Sequence, residues 1–245
     1  MRGFGAIYRR ELAALFLGPL AWTLLCIALF LNGYLFMLYL RSSGGDIDLA
    51  LRFSLGETYA FWTLCVLLPP LLTMRMLSEE ARSGLLEYLL TAPVTDLAVI
   101  CGKFAAALTF MALLWGTVFL YALLLASQGA PIDWGVVSAS WLGGVLCSAL
   151  FCGTGLWASS LTATPVVAAF AAVMINLVIV LLPLFARLSG VPLLTLASES
   201  VDVPSHLRSA FLFGVVDSAY VIFFAAWTAF FLYLSARALE ARRWR

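Results

Sequence analysis

Six long apolar runs govern what this chain can fold into. They cover roughly residues 19–40, 58–74, 104–127, 135–159, 166–186 and 211–235. A helix crosses the hydrocarbon of a bilayer with about 20 apolar residues, and about 17 is the lower end. Each run is long enough, the second only just. Backbone polar groups in lipid must be bonded within the protein, so runs of this length are helices. A transmembrane barrel would show shorter, alternating segments. Composition agrees, because 64% of the residues are hydrophobic and only 11% are charged, against about 25% charged in a soluble domain. That leaves too little polar surface to coat a globule in water. The expected architecture is all-α, one polytopic membrane domain over residues 1–245, with the lipid bilayer as its solvent.

Six crossings put both termini on one side, and the basic residues choose which. Arg2, Arg9 and Arg10 precede the first run. Arg75, Arg82 and Lys103 lie between the second and third, and Arg237, Arg242, Arg243 and Arg245 follow the last. The opposite face has Arg41, Arg52, Arg187 and Arg208. By the positive-inside rule the first set, and both termini, are cytoplasmic. The first run is too long for a signal-peptide core and reads as an uncleaved span. A net charge of +1 gives no attraction for nucleic acid.

Chemistry is not written in the side chains. The five cysteines have no metal-ligand spacing and the single histidine is His206, so no metal site is expected and the thiols read as small hydrophobes. No catalytic set can be assembled around His206. No Gly-x-x-x-x-Gly-Lys-Ser/Thr sequence is present, so the phosphate-cradling loop of an ATP site is missing. The chain is read as non-catalytic.

Polar features then stand out against the apolar background. Phe4 to Phe16 carries Arg9, Arg10 and Glu11 beside Ile7, Leu12, Leu15 and Phe16, the pattern of an N-terminal helix lying in the interface. Pro19 suits the first turn of the first span. The segment Met74–Asp96 places Leu77, Ala81, Leu85 and Leu89 at intervals of four. Glu79, Glu80, Arg82 and Glu87 take other positions, with Glu79 and Arg82 spaced to pair. Gly84 interrupts this helix, Ala92-Pro93 ends it, and Thr95 or Asp96 caps the next. Inside the spans, Asn32 and Asn176 are buried amides suited to bonding across helices. Asp217 lies one or two turns inside the last run, at the external interface or on a path through the protein. Gly144, Ser148 and Cys152 form a small-residue stripe that admits a close neighbour, within the chain or in a second copy. Pro69, Pro70 and Pro183 should bend or break their helices. Val191 to Leu196 is too short to span and suits a dip into the outer leaflet.

The wording of Pro70-Leu71-Leu72-Thr73-Met74-Arg75, Glu79-Glu80, Ser83-Gly84-Leu85-Leu86-Glu87, Leu89-Leu90-Thr91-Ala92-Pro93-Val94 and Gly102-Lys103 resembles the ABC-2-type permeases of ATP-driven transporters. The likeness is to the gliding-motility subgroup, related to copper and nitrous-oxide maturation permeases. It extends to Gly18-Pro19-Leu20-Ala21, Asn32-Gly33-Tyr34, Ala158-Ser159-Ser160-Leu161-Thr162, Gly214-Val215-Val216-Asp217 and Leu239 to Trp244, and so covers nearly the whole chain. Two places depart from the family pattern. Thr164-Pro165 stands where Asn-Gln is common, and Ala219 and Tyr220 where charged residues follow the aspartate.

The resemblance implies a cytoplasmic coupling helix between spans two and three that docks on a separate ATP-binding subunit. Glu79, Glu80, Arg82, Gly84, Glu87 and Pro93 would be the residues of that contact, and Asn32, Asn176 and Asp217 a gate or substrate path. ATP and magnesium would bind the partner, with no cofactor on this chain. The other implied partners are a second permease copy or a homologous permease, and an accessory protein with a large extracytoplasmic domain. The setting would be a bacterial inner membrane and the complex exporter-type. The alternative is a mechanotransmission subunit that drives the accessory protein and moves no solute. A passive channel would leave 74–96 dispensable.

Overall fold

Every secondary-structure element among the described residues is helical. The structure is a computed structural model and describes residues 3–42, 44, 47–84, 95–190, 198–199 and 201–243. The elements run α1 (Phe4–Leu17), α2 (Pro19–Ser42), α3 (Ile47–Arg52) with a π-helical turn at Phe53–Glu57, α4 (Tyr59–Ser83), α5 (Asp96–Trp115) and α6 (Thr117–Ser127). They continue with α7 (Trp134–Leu161), α8 (Pro165–Ser189), α9 (Val203–Ser209), a 3₁₀ turn at Phe211–Phe213, and α10 (Ser218–Arg243). Six stretches are long and apolar enough to cross a membrane: Ala21–Ser42, Tyr59–Ser83, Asp96–Ser127, Trp134–Leu161, Pro165–Ser189 and Ser218–Ala241. The chain is thus an all-α, multi-pass membrane protein.

Two boundaries differ from the sequence expectation. The second span does not stop near Met74. Its helix continues to Ser83, because Arg75 and Glu79 form an i,i+4 pair and no breaker intervenes. Gly84 interrupts the helix as expected, capping it with φ of +74°, a left-handed conformation that glycine takes without a Cβ penalty. The last span begins at Ser218 and not at 211. Gly214, at φ +80°, ends the short 3₁₀ turn, and Asp217 then accepts a hydrogen bond from the Ala219 amide at 2.9 Å.

The central helix is α7, packed most extensively against α4 and α10. Small residues make this possible. Gly144 faces Phe61 of α4 and Trp115 of α5, Gly153 faces Phe231 and Thr228 of α10, and Gly143 lies under Leu207 and Phe211. Without a hydrophobic drive between helices in lipid, such close approach is what holds a bundle together. The stripe of Gly144, Ser148 and Cys152 is therefore filled from within the chain. The Trp115 indole donates to Ser148 Oγ at 2.8 Å, and Ser148 and Cys152 are fully buried. By contrast only 17% of the apolar window of α2 and 22% of that of α8 is buried, against 67% for α4 and α7. The outer faces of α2 and α8 are thus the ones the rest of the chain covers least.

Pro69 and Pro70 do not break α4. Proline removes a donor and frees the carbonyl four residues back. For Pro70 that carbonyl belongs to Val66, and Asn176 of α8 supplies the missing donor from Nδ2 at 3.3 Å. Neighbouring helices commonly re-satisfy freed backbone groups in this way.

Candidate functional site

At the end of the bundle where both termini lie, four charged side chains from three elements meet. Lys103, on the second turn of α5, is fully buried. Its Nζ lies 2.8 Å from Glu11 Oε1 of α1 and 2.9 Å from Glu80 Oε1 of α4. Arg10 of α1 reaches the same two oxygens at 2.6 Å and 2.5 Å. Two cations and two carboxylates thus form a closed, electrically balanced group. A buried ammonium without such partners would be expensive. Burial would raise the Glu11 carboxyl, but Lys103 and Arg10 outweigh it and hold it below the usual carboxylate range.

The sequence makes this meeting possible locally. Gly102 precedes Lys103, and a Cβ there would lie 2.9 Å from Ile7 Cγ2. Glycine therefore lets α1 lie directly on α5, which brings Glu11 to Lys103. The Tyr8 and Thr109 hydroxyls, 3.1 Å apart, extend the same contact. Thr95 caps α5, accepting from the Ala98 amide, as its position before an apolar run predicts.

A second tie joins α4 to α7. Ser159 Oγ donates to the Met74 carbonyl at 3.0 Å and accepts from the Leu77 and Ser78 amides at 3.2 and 3.1 Å. A hydroxyl from α7 is thus inserted into the backbone ladder of α4 where the charged extension begins. Side chains inserted this way are a recognised cause of helix bending.

The residues of the 74–96 segment separate into two kinds. Glu80 belongs to the buried group. Glu79 and Arg82 are exposed, and Glu79 pairs with Arg75 at 4.0 Å in place of the Arg82 partner that the spacing suggested. Gly84 closes the helix. Glu87 and Pro93 lie outside the described residues, as do the Ala92-Pro93 break and the 191–196 segment.

Asn32, Asn176 and Asp217 do not come together. Asn176 is buried between helices, accepting from the Thr154 hydroxyl of α7 while donating to Val66 of α4. Asn32 is buried on α2, facing Ser54 and Thr58 across a small gap. Asp217 is exposed at the start of α10 and lies before the helix, not within it. At this opposite end Asp202 caps α9 and pairs with Arg187 at 2.6 Å. His206 sits against the rings of Tyr220 and Phe223. Burial lowers its pKa, and the nearby Asp202 only partly opposes this.

Two larger cavities flank the bundle. One, of about 360 Å³, lies between α7, α8 and α10 and is walled by apolar side chains such as Trp157, Met174, Val178, Phe223 and Trp227. The other, of about 640 Å³, lies between α1, α2 and α4 beside the ionic group. Among the described residues no cluster of His, Cys, Asp and Glu has the makings of a metal site. No protein-family model matches the chain, and a search among curated proteins finds no match.

Proposed function

We propose that this chain is the membrane subunit of an ATP-driven complex of the ABC-2 permease type. A separate ATP-binding subunit docks at the end that carries Glu79 and Arg82. The chain itself carries no catalysis, and it works in a bacterial inner membrane with both termini cytoplasmic. A second copy or a homologous permease completes the pore.

The observation that carries this reading is the mechanical wiring of α4. Its extension to Ser83 presents exposed charges outward, while Glu80 ties it through Lys103 and Arg10 to α5 and α1, and Ser159 ties it to α7. A push on that extension is therefore delivered to four helices at once. Such a device shifts a population between two packings when a partner binds one of them better.

The apolar lining of the 360 Å³ cavity favours lipid-like cargo, or the alternative in which motion passes to an external accessory protein with no cargo. Gentle solubilisation from the native membrane and pull-down test the proposal. Glu79→Lys with Arg82→Glu is the informative variant, since both side chains are exposed, whereas reversal at Glu80 would also break the ionic group. Loss of a co-purifying ATPase in that variant supports docking there. Absence of any ATPase from the wild-type eluate refutes the motor and favours a passive channel.

A further inference from the structure

We propose that the cavity between α1, α2 and α4 holds one zwitterionic phospholipid whose headgroup carries a primary ammonium. The inference does not depend on a motor subunit. It rests on a cavity of about 640 Å³, within the range of small-molecule sites, whose two halves differ in chemistry.

The rim is ionic, formed by Arg10, Glu11, Arg75, Glu79 and Glu80. The floor is apolar, with Leu15, Leu71, Leu72 and Met76, and Pro19 and Ala21 at the start of α2 complete the wall. A charged rim over an apolar floor, next to the helix whose faces are most open to lipid, matches a molecule with a charged head and an acyl body. A soluble metabolite would have no use for the floor.

Charge selects the headgroup. Arg10, Arg75 and the buried Lys103 are matched by Glu11, Glu79 and Glu80, so the site has no net attraction for an anion. It suits a head that brings one charge of each sign. Arg75 and Glu79 are the least committed members, 4.0 Å apart and each about 60% exposed in its side chain. Arg75 offers a fork of donors to a phosphate, a geometry it satisfies well. Glu79 offers a carboxylate to the ammonium.

One further group distinguishes a primary ammonium from a quaternary one. Glu80 lines the cavity, and its Oε2 is buried with no hydrogen-bond partner, although its other oxygen is doubly bonded. A buried carboxylate oxygen left empty calls for a donor. A primary ammonium has three N–H groups to give, whereas a trimethylammonium has none.

The test is native mass spectrometry of the detergent-solubilised full chain, titrated separately with dioleoyl phosphatidylethanolamine, phosphatidylcholine and phosphatidylglycerol. One phosphatidylethanolamine should be retained per chain, about tenfold more tightly than phosphatidylcholine, the scale of one or two charge-assisted hydrogen bonds. Arg75→Gln with Glu79→Gln should weaken retention of both lipids and leave the preference that Glu80 sets. Leu71→Trp, at a half-buried floor position, should displace both while leaving the rim charges in place. Soluble phosphoethanolamine at the same concentration should not compete. Equal retention of the ethanolamine and choline lipids by the wild type overturns the proposal. So does a preference for phosphatidylglycerol, effective competition by the soluble headgroup, or unchanged binding in both variants.

Discussion

Replacing Lys103 by methionine keeps the unbranched apolar stem, one atom shorter, and removes the charge, which isolates the role of the ammonium. In the wild type Nζ sits 2.8 and 2.9 Å from two carboxylates. Removing one partner of a buried ion pair costs about 3–5 kcal/mol, because the other charge is left uncompensated. The loss here falls at or below the low end of that range. The Glu11 and Glu80 side chains keep 12% and 15% exposure, and Arg10 still touches both. Arg10 is itself 43% exposed, so its remaining attraction is screened by water. The expected loss is about 2–3 kcal/mol, or roughly 30- to 150-fold in the folding equilibrium. Reversible unfolding in mixed detergent micelles, followed by tryptophan fluorescence, measures it. The partner variant is Glu11→Gln with Lys103→Met, which removes one surplus acid and leaves Glu80 balanced by Arg10. It should be more stable than Lys103→Met alone, a non-additivity expected of groups in one network. The pH dependence follows from the lowered Glu11 carboxyl. A group whose folded pKa is depressed contributes stability above its unfolded value, near 4.5, and loses it as pH falls through the folded value. Acidification below about pH 4.5 should therefore destabilise the wild type, and do so less in Lys103→Met, where the principal opposing charge is gone. A Lys103→Met protein as stable as wild type, or strict additivity in the double variant, would refute the reasoning.

Two other substitutions test the packing in the same unfolding assay. Alanine at Gly143 would place its Cβ 2.7 Å from both Leu207 Cδ1 and Phe211 Cβ, and overpacking of this kind costs about 1–3 kcal/mol. Gly144→Ala, whose nearest neighbours are 3.7 Å away, should be neutral or mildly stabilising, since alanine is the better helix former. Asn176→Leu removes the donor on the carbonyl that Pro70 leaves free and should cost about 1–2 kcal/mol. Combining it with Pro70→Ala, which restores a donor to Val66, should cost less than the single change.

The crossings were legible because run length alone decides them in a bilayer, and all six fall where the apolar runs lie. Their ends were less legible. A run ends at its first charges, but a helix ends where a cap or a positive φ stops it, as Gly84 stops α4 beyond four charged residues. The same difference moved Asp217 out of the last span, since the apolar residues 211–216 belong to a 3₁₀ turn and a connection and not to the helix. Pro69 and Pro70 were read as bends or breaks because proline's effect was weighed locally. The compensating donor, Asn176, lies on another helix 110 positions away in sequence.

The ionic group shows most directly what pattern reading misses and what signal was available. Glu11 read as one charge of an interfacial helix, Glu80 as an outward contact, and Lys103 as a vote for membrane orientation. Glu11 was read from local amphipathicity, Glu80 from the resemblance and Lys103 from the distribution of basic residues, and none of these places three elements in one neighbourhood. Yet Gly102-Lys103 opens an apolar stretch from Phe104 to Leu114. An ammonium entering such a stretch must find carboxylates. Glycine immediately before the lysine also marks a place where another backbone approaches closely. Together these two residues ask for a helix that lies on α5 and carries an acid, and α1 with Glu11 is that helix. The consequence for mechanism is that Glu79 and Glu80, adjacent in sequence, do different work. Glu80 faces inward and ties α4 to α1 and α5, while Glu79 is exposed beside Arg75. Under the proposed docking, perturbing the two separately would divide the transmission of force from its reception, which no change to the acidic pair as a unit can do.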